Sequence, residues 1–316
     1  MDLRAIMKAT SFLVLTVIGI PGNFTVLAVF SHIAFTEYKL LPTDIIVTNL
    51  ALVNFILVIS RGFPQILTAF QLRNLFDTFG CKLIIFAFRI ARALSISMTF
   101  LLSASQSVTI SPATSRLSFL KQRLPKYLWP LIVFFWLLSG ATSVTSILYS
   151  TADPNSTASQ FTFNLEYCYV AFPGKDAYEG NGTMYVSRDL TFVILMALAS
   201  IYILFVLYRH SQQVKSIRNP NRNQGTSAES RAAKTVVTLV ALYVIFFGVD
   251  NLIWIYSISI SRVSPMISDI RVFFSSLYAT VSPIVIICSN KKIINKLYCT
   301  RRNQVSQAVE IIFTTV

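Results

Sequence analysis

Four ionisable side chains fall inside long apolar stretches, where charge is rarely found: Arg61, Arg89, Arg92 and Asp250. A charge in an apolar medium is costly, and it marks either a buried partner or a function. Arg89 and Arg92 are three positions apart and share one face of a helix. A guanidinium offers a two-pronged fork to a carboxylate, so the chemistry open to this set is capture of an anionic small molecule by Arg89 or Arg92. The competing reading is structural: Asp250 pairs with one arginine, and the others bond backbone carbonyls or snorkel toward water. An amine ligand is disfavoured, because the stretch carrying Arg89 and Arg92 contains no Asp. Catalysis has little to work with. The only histidines, His32 and His210, sit at the edges of apolar runs, and no HExxH, GxSxG, Walker or GxGxxG pattern occurs. The four cysteines show no metal-ligand spacing. Neither a metal nor a cofactor is expected, and the chain does not read as an enzyme.

The elements that must position these charges are membrane spans. Of the 316 residues 54% are hydrophobic and 13% charged, against about 25% charged in soluble domains. A bilayer core of about 30 Å needs roughly 20 helical residues. Such runs occupy 9–30, 44–70, 81–110, 127–149, 189–208, 235–260 and 272–289. They predict an all-α bundle of seven transmembrane helices over 1–289, followed by a tail over 290–316. The first run is too long for a signal-peptide core and reads as a span. By helical rise, Arg89 and Arg92 lie roughly 12 and 16 Å from Cys81, while Arg61 and Asp250 lie about 26 and 24 Å along their own spans. All four thus reach a similar depth, in the outer half of the bundle.

The net charge of +14 could suggest nucleic acid, but the basic residues concentrate between spans. Arg116, Lys121, Arg123 and Lys126 follow the third span, and Arg209, Arg231 and Lys234 flank the loop between the fifth and sixth. The positive-inside rule puts these segments in the cytoplasm and the N-terminus outside. Cys81 and Cys168 then both face the oxidising side. A bridge between them would tie the long outer loop over the bundle; the alternative is two unpaired thiols. The sequons at Asn155 and Asn181 fall in that same loop as candidate glycosylation sites, whereas one at Asn23 lies inside a span. Arg188–Asp189 reads as a helix-entry pair at the membrane surface or as a pocket gate. Tyr185, Phe192 and Phe247 read as an aromatic wall or as plain packing. No internal repeat or filter-like segment supports a transporter or channel, so a receptor leads.

Several stretches resemble the vomeronasal type-1 receptor family and its class-A-related olfactory subgroup: LLSASQSVTISP at Leu101–Pro112, RIARALSIS at Arg89–Ser97, ESRAAKTVVTLVALYV at Glu229–Val244 and ATVSPIVII at Ala279–Ile287. The matches run in order from the first span to the tail. The resemblance implies a G-protein-coupled chemosensory receptor in the plasma membrane of sensory neurons. Its ligand would be a small odorant or pheromone, and its partner a Gi/Go-type heterotrimeric G protein. That partner would be contacted around Gln106, Arg116, Arg209, Arg231 and Lys234. Bitter-taste receptors are the nearest rival, since they too lack Asp-Arg-Tyr at the third-span exit, where this chain has Ser105-Gln106-Ser107. They do not normally present the Cys81–Cys168 arrangement.

Two further departures from rhodopsin-type receptors stand out. Asn54 replaces the usual second-span Asp, so a sodium site there should be weak or absent, and Ser282-Pro283 replaces Asn-Pro in the seventh span. After Ser289, the residues Ile293, Ile294, Leu297 and Tyr298 alternate with Lys291, Lys292 and Lys296. That pattern predicts a short amphipathic helix on the inner leaflet, its lysines toward anionic lipid. Cys299 at its end is a palmitoylation candidate.

Overall fold

The computed structural model describes residues 3–37, 40–70, 72, 75–112, 118–153, 162–216, 223–259 and 265–298. Its helices are α1 (Leu3–Glu37), α2 (Pro42–Ala69), α3 (Thr78–Ile110), α4 (Ser118–Tyr149), α5 (Lys175–Ser216), α6 (Asn223–Ser259) and α7 (Pro265–Ser289). A short helix, α8, spans 291–298. Seven of these are long and apolar enough to cross a membrane. In lipid every backbone N–H and C=O must be satisfied within the protein, which is why apolar segments of this length fold as helices. The chain also starts helices by local capping. Pro42 opens α2, where Asp44 accepts from the Leu41 N–H, and the Asp77 side chain accepts from Gly80 at the start of α3.

The helices overrun the apolar runs that predict them. α5 begins at 175 instead of 189, and α7 at 265 instead of 272. A helix satisfies its own hydrogen bonds, so it continues past the point where its side chains stop being apolar. These extensions bring Tyr178, Tyr185, Arg188 and Arg271 onto helices.

α3 runs through the middle of the bundle, with Leu94, Ile96 and Met98 fully buried. Its apolar window is 50% buried, against 17% for that of α5. The outer face of α5, with Leu198, Ile201 and Phe205 exposed, is lined for lipid, as is that of α4 with Val133, Phe134 and Leu137. α1 packs closely on α2: a Cβ on Gly62 would stand 2.5 Å from the Thr16 hydroxyl.

Polar contacts join helices below the charged residues. Asn54, fully buried, donates to the Ser282 hydroxyl at 2.9 Å and accepts from Ser95 at 2.7 Å. That neutral triad links α2, α3 and α7. Thr99 and Tyr278 share a bond of 2.7 Å between α3 and α7, and Asn23 donates to the Ala279 carbonyl, tying α1 to α7. A buried polar group left without a partner costs about 1–3 kcal/mol. Asn54→Ala orphans both serines, so it should lower stability by roughly that amount, read as a lower melting temperature in detergent. An unchanged melting temperature would show that the triad contributes nothing.

Candidate functional site

At the end of the bundle that carries the disulfide lies a cavity of about 160 Å³. α3 supplies one wall through Ile85, Phe88, Arg89 and Arg92, which recur at helical spacing. α5 supplies Tyr185, Arg188 and Asp189; Arg61 comes from α2, Asp250 from α6 and Arg271 from α7. The four intramembrane charges read from the sequence therefore converge, and three more join them. Among the described residues, five arginines face two carboxylates around one cavity.

The carboxylates are almost fully buried. Asp250 Oδ2 lies 2.5 Å from Arg92 Nη2, and its Oδ1 accepts from Arg271 Nε at 3.2 Å. Asp189 Oδ1 takes a fork from Arg188, Nε at 2.9 Å and Nη2 at 2.7 Å, while its Oδ2 lies 3.7 Å from Arg92 Nε. Arg89 instead donates to the Tyr185 hydroxyl at 2.8 Å and lies over that ring. Arg61 lies 4.2 Å from the centre of the Phe88 ring.

A small antiparallel sheet roofs the cavity. β1 (Ser150–Thr151), β2 (Thr162–Asn164) and β3 (Tyr169–Ala171) lie in the order β1-β3-β2. Phe163, Leu165 and Val170 point into the cavity, and Phe163 stacks on Tyr178 with ring centres 5.0 Å apart. On one side the roof is held by the Cys81–Cys168 disulfide, Cα atoms 5.7 Å apart. On the other, Glu166 bonds Arg4 at 2.9 Å and also Lys8, both on α1. Arg4 and Lys8 in turn pair with Asp269 of α7 at 2.7 and 3.4 Å. Glu166 has a backbone φ of 70°, unusual for a residue with a side chain, and the Asn164 side chain braces the turn by accepting its N–H at 2.7 Å.

Other sequence expectations meet mixed outcomes. Arg188–Asp189 is no surface pair, since its side chains are 10% and 5% exposed and line the cavity. Tyr185 lines the wall, but Phe192 packs against Phe100 and Phe135 in the core. Phe247 joins Tyr243 and Tyr278 around a second, smaller cavity of about 30 Å³, which Arg92 and Asp250 also touch. Asn181 corrects the loop assignment. It sits on α5, buried, its side-chain oxygen accepting from Thr145 at 2.8 Å. Arg271 escaped the sequence reading because the apolar run begins one residue later.

At the opposite end Gln106 is buried near the end of α3, with Arg209 and Lys234 exposed and Arg231 half-buried. On α8, Ile293 is fully buried, while Leu297 and Tyr298 are exposed. Lys292 pairs with Asp44 of α2 at 2.6 Å. Arg116, Asn155 and Cys299 lie outside the described residues.

A seven-helix membrane bundle with a roofed cavity of this kind is the architecture of a G-protein-coupled receptor. The fold superposes on squid rhodopsin with a TM-score of 0.73 at 17% identity, over 95% of this chain and 81% of that one. Residues 6–299 match the profile of the vomeronasal organ pheromone receptor family. The chain is 44% identical to olfactory receptor class A-like protein 1 of Danio rerio, covering 98% of this chain and 97% of that one. It is 31% identical to human vomeronasal type-1 receptor 1, over 90% and 80% of the two chains. The protein belongs to the vomeronasal type-1 receptor family: a multi-pass membrane receptor, not an enzyme.

The roof has a pH signature. Burial pushes the Glu166 carboxyl upward, but the adjoining Lys8 and Arg4 cations outweigh it and hold the group below the usual carboxylate range. A depressed pKa stabilises the fold at neutral pH, and that contribution is lost as pH falls through the folded value. Glu166→Gln should lower stability by roughly 0.2–1 kcal/mol at pH 7, since the site is partly exposed to solvent. Melting curves of variant and wild type should converge once pH has fallen well below that depressed value, under the usual carboxylate range. A gap that persists there would exclude the carboxylate as its source.

Proposed function

We propose that the protein is a chemosensory receptor that binds a small anionic molecule in the roofed cavity and activates a Gi/Go-type G protein. The excess of arginine over carboxylate around the cavity carries this reading. Buried cations without matching anions are costly, and an entering carboxylate or sulfate relieves that cost through charge-assisted bonds. Phe163, Leu165, Val170 and Ile85 give the same cavity an apolar upper part, which suits an acid with a hydrocarbon body. The names of the relatives, with olfactory and pheromone receptors among them, support a chemical cue as the ligand.

In this reading the disulfide end and the N-terminus face outside the plasma membrane of a chemosensory neuron. The end with Gln106, Arg209, Arg231 and Lys234 faces the cytoplasm, where the segment around Arg116 adds to the G-protein contact. Ligand binding shifts the population toward a bundle whose α6 moves away from α3 at that end and admits the G-protein α subunit. The sequon at Asn155 is the proposed glycosylation site. Cys299, beyond α8, is open to palmitoylation, which would hold the tail to lipid.

Expression with a promiscuous G protein, challenged in parallel with carboxylic acids, sulfated compounds, amines and neutral steroids, tests the ligand class. Anions should activate and amines should not; a response confined to amines or neutral steroids would overturn it. Pertussis toxin should abolish signalling through the endogenous G proteins, and toxin-resistant signalling would exclude Gi/Go coupling.

A further inference from the structure

We infer that the cavity's five arginines divide between two tasks: Arg61 and Arg89 recognise the anionic group of the ligand, and Arg92, Arg188 and Arg271 are positioning residues that hold the helices. The division deepens the anionic reading and rests on it. It also moves the docking role off Arg92, the residue that the helical spacing made equally eligible.

The partners of each guanidinium separate the two sets. Asp189 and Asp250 have four oxygens between them, and each faces an arginine nitrogen. Arg92 reaches both acids, Arg188 takes one oxygen of Asp189 in a fork, and Arg271 takes the second oxygen of Asp250. A ligand that took over the nitrogens these three commit to Asp189 and Asp250 would leave a buried carboxylate unpaired, which is costly.

Arg61 and Arg89 stand apart. Among the described residues neither meets a carboxylate. Arg89 has the neutral Tyr185 hydroxyl at 2.8 Å, itself held by Thr145 and the Thr142 carbonyl. Arg61 is 8% exposed and lines the cavity, yet its Nε has no hydrogen-bond partner. Its guanidinium rests on the face of Phe88 beside Tyr167. These two are the strongest unneutralised attractors in the cavity, and an anion binding them gives up no existing ion pair.

The positioning set has a second consequence. Arg188 and Asp189 lie on α5, Arg92 on α3, Asp250 on α6 and Arg271 on α7, so the chain of pairs ties four helices together. Asp250 is the contribution of α6, and removing it breaks the ion pairs of that helix to α3 and α7 at once.

The ratio of potencies for matched acids and primary amides separates recognition from positioning, because a structural defect lowers both alike. The probes are hexanoic, octanoic and benzoic acids with their amides, scored against receptor counted at the cell surface and by thermal stabilisation of purified receptor. Arg61→Gln and Arg89→Gln should each cut the acid preference about 10–100-fold, the worth of one charge-assisted contact. The paired variant Arg92→Met with Asp250→Leu should keep the preference and raise basal signalling. Where a Gln variant fails to reach the surface, Arg61→Lys or Arg89→Lys keeps the charge but loses the fork, and a smaller drop in the ratio is expected. Acid preference that survives at Arg61 and Arg89 but vanishes with the paired variant overturns the division while leaving the anionic reading intact. A wild-type receptor that no acid activates or stabilises overturns that reading itself.

Discussion

Everything at the disulfide end depends on one constraint: Asp189 and Asp250, buried in a bundle surrounded by lipid, must each be met by arginine. Such charges have no route to water except the cavity, so they fix how the helices turn about their own axes. α3 must present Arg92 inward, and Arg89, on the same face about one turn away, follows it. α5 must turn Arg188 and Asp189 toward the same point, α6 its Asp250 and α7 its Arg271. Any rotation that satisfied lipid on the outer faces but broke this meeting would leave a bare charge inside. The ion pairs contribute less to net stability than to choosing one arrangement among many, since desolvation offsets much of their attraction.

The layers on either side are built on different terms. Above, the roof is tied covalently to α3 through Cys81–Cys168 and ionically to α1 and α7 through Glu166, Arg4, Lys8 and Asp269. The covalent tie is permanent, whereas the ionic one joins exposed Arg4 and Glu166 to buried Lys8. Below, the helices meet through Asn54, Ser95, Ser282, Thr99 and Tyr278, all neutral. Neutral bonds in the middle of a bundle can exchange partners without stranding a charge. The charged layer is therefore the one whose rearrangement changes energy most, and it lines the roofed cavity.

Much of this was legible in the residues because lipid imposes simple rules. Span number follows from apolar run length, and the shared depth of Arg61, Arg89, Arg92 and Asp250 follows from helical rise alone. What escaped was the length of helix beyond the apolar edge. Arg271 lies one residue outside the run that announces α7, and Asn181 read as loop because its stretch is polar. A polar stretch is no barrier to a helix that already satisfies its own backbone. Pairing was out of reach for another reason: whether Arg92 meets Asp250 or Asp189 depends on crossing angles and rotations that no single span encodes.

The likeness to squid rhodopsin, 17% in sequence and 0.73 in TM-score, shows how little of a seven-helix bundle its side chains need to specify. Lipid enforces helices, length enforces seven crossings, and small residues such as Gly62 allow close contact. Those requirements accept many sequences. The positions that carry chemistry are free to change on the same scaffold, and here they have: Asn54 stands where rhodopsin-type receptors usually carry a carboxylate, and Gln106 where they carry arginine. The middle of α2 thereby loses its charge; of the buried acids, Asp189 and Asp250 line the cavity, and Asp44 sits at the opposite end of α2, paired with Lys292. A receptor built this way keeps neutral contacts in the middle of the bundle and a chain of ion pairs across α3, α5, α6 and α7 beside the cavity.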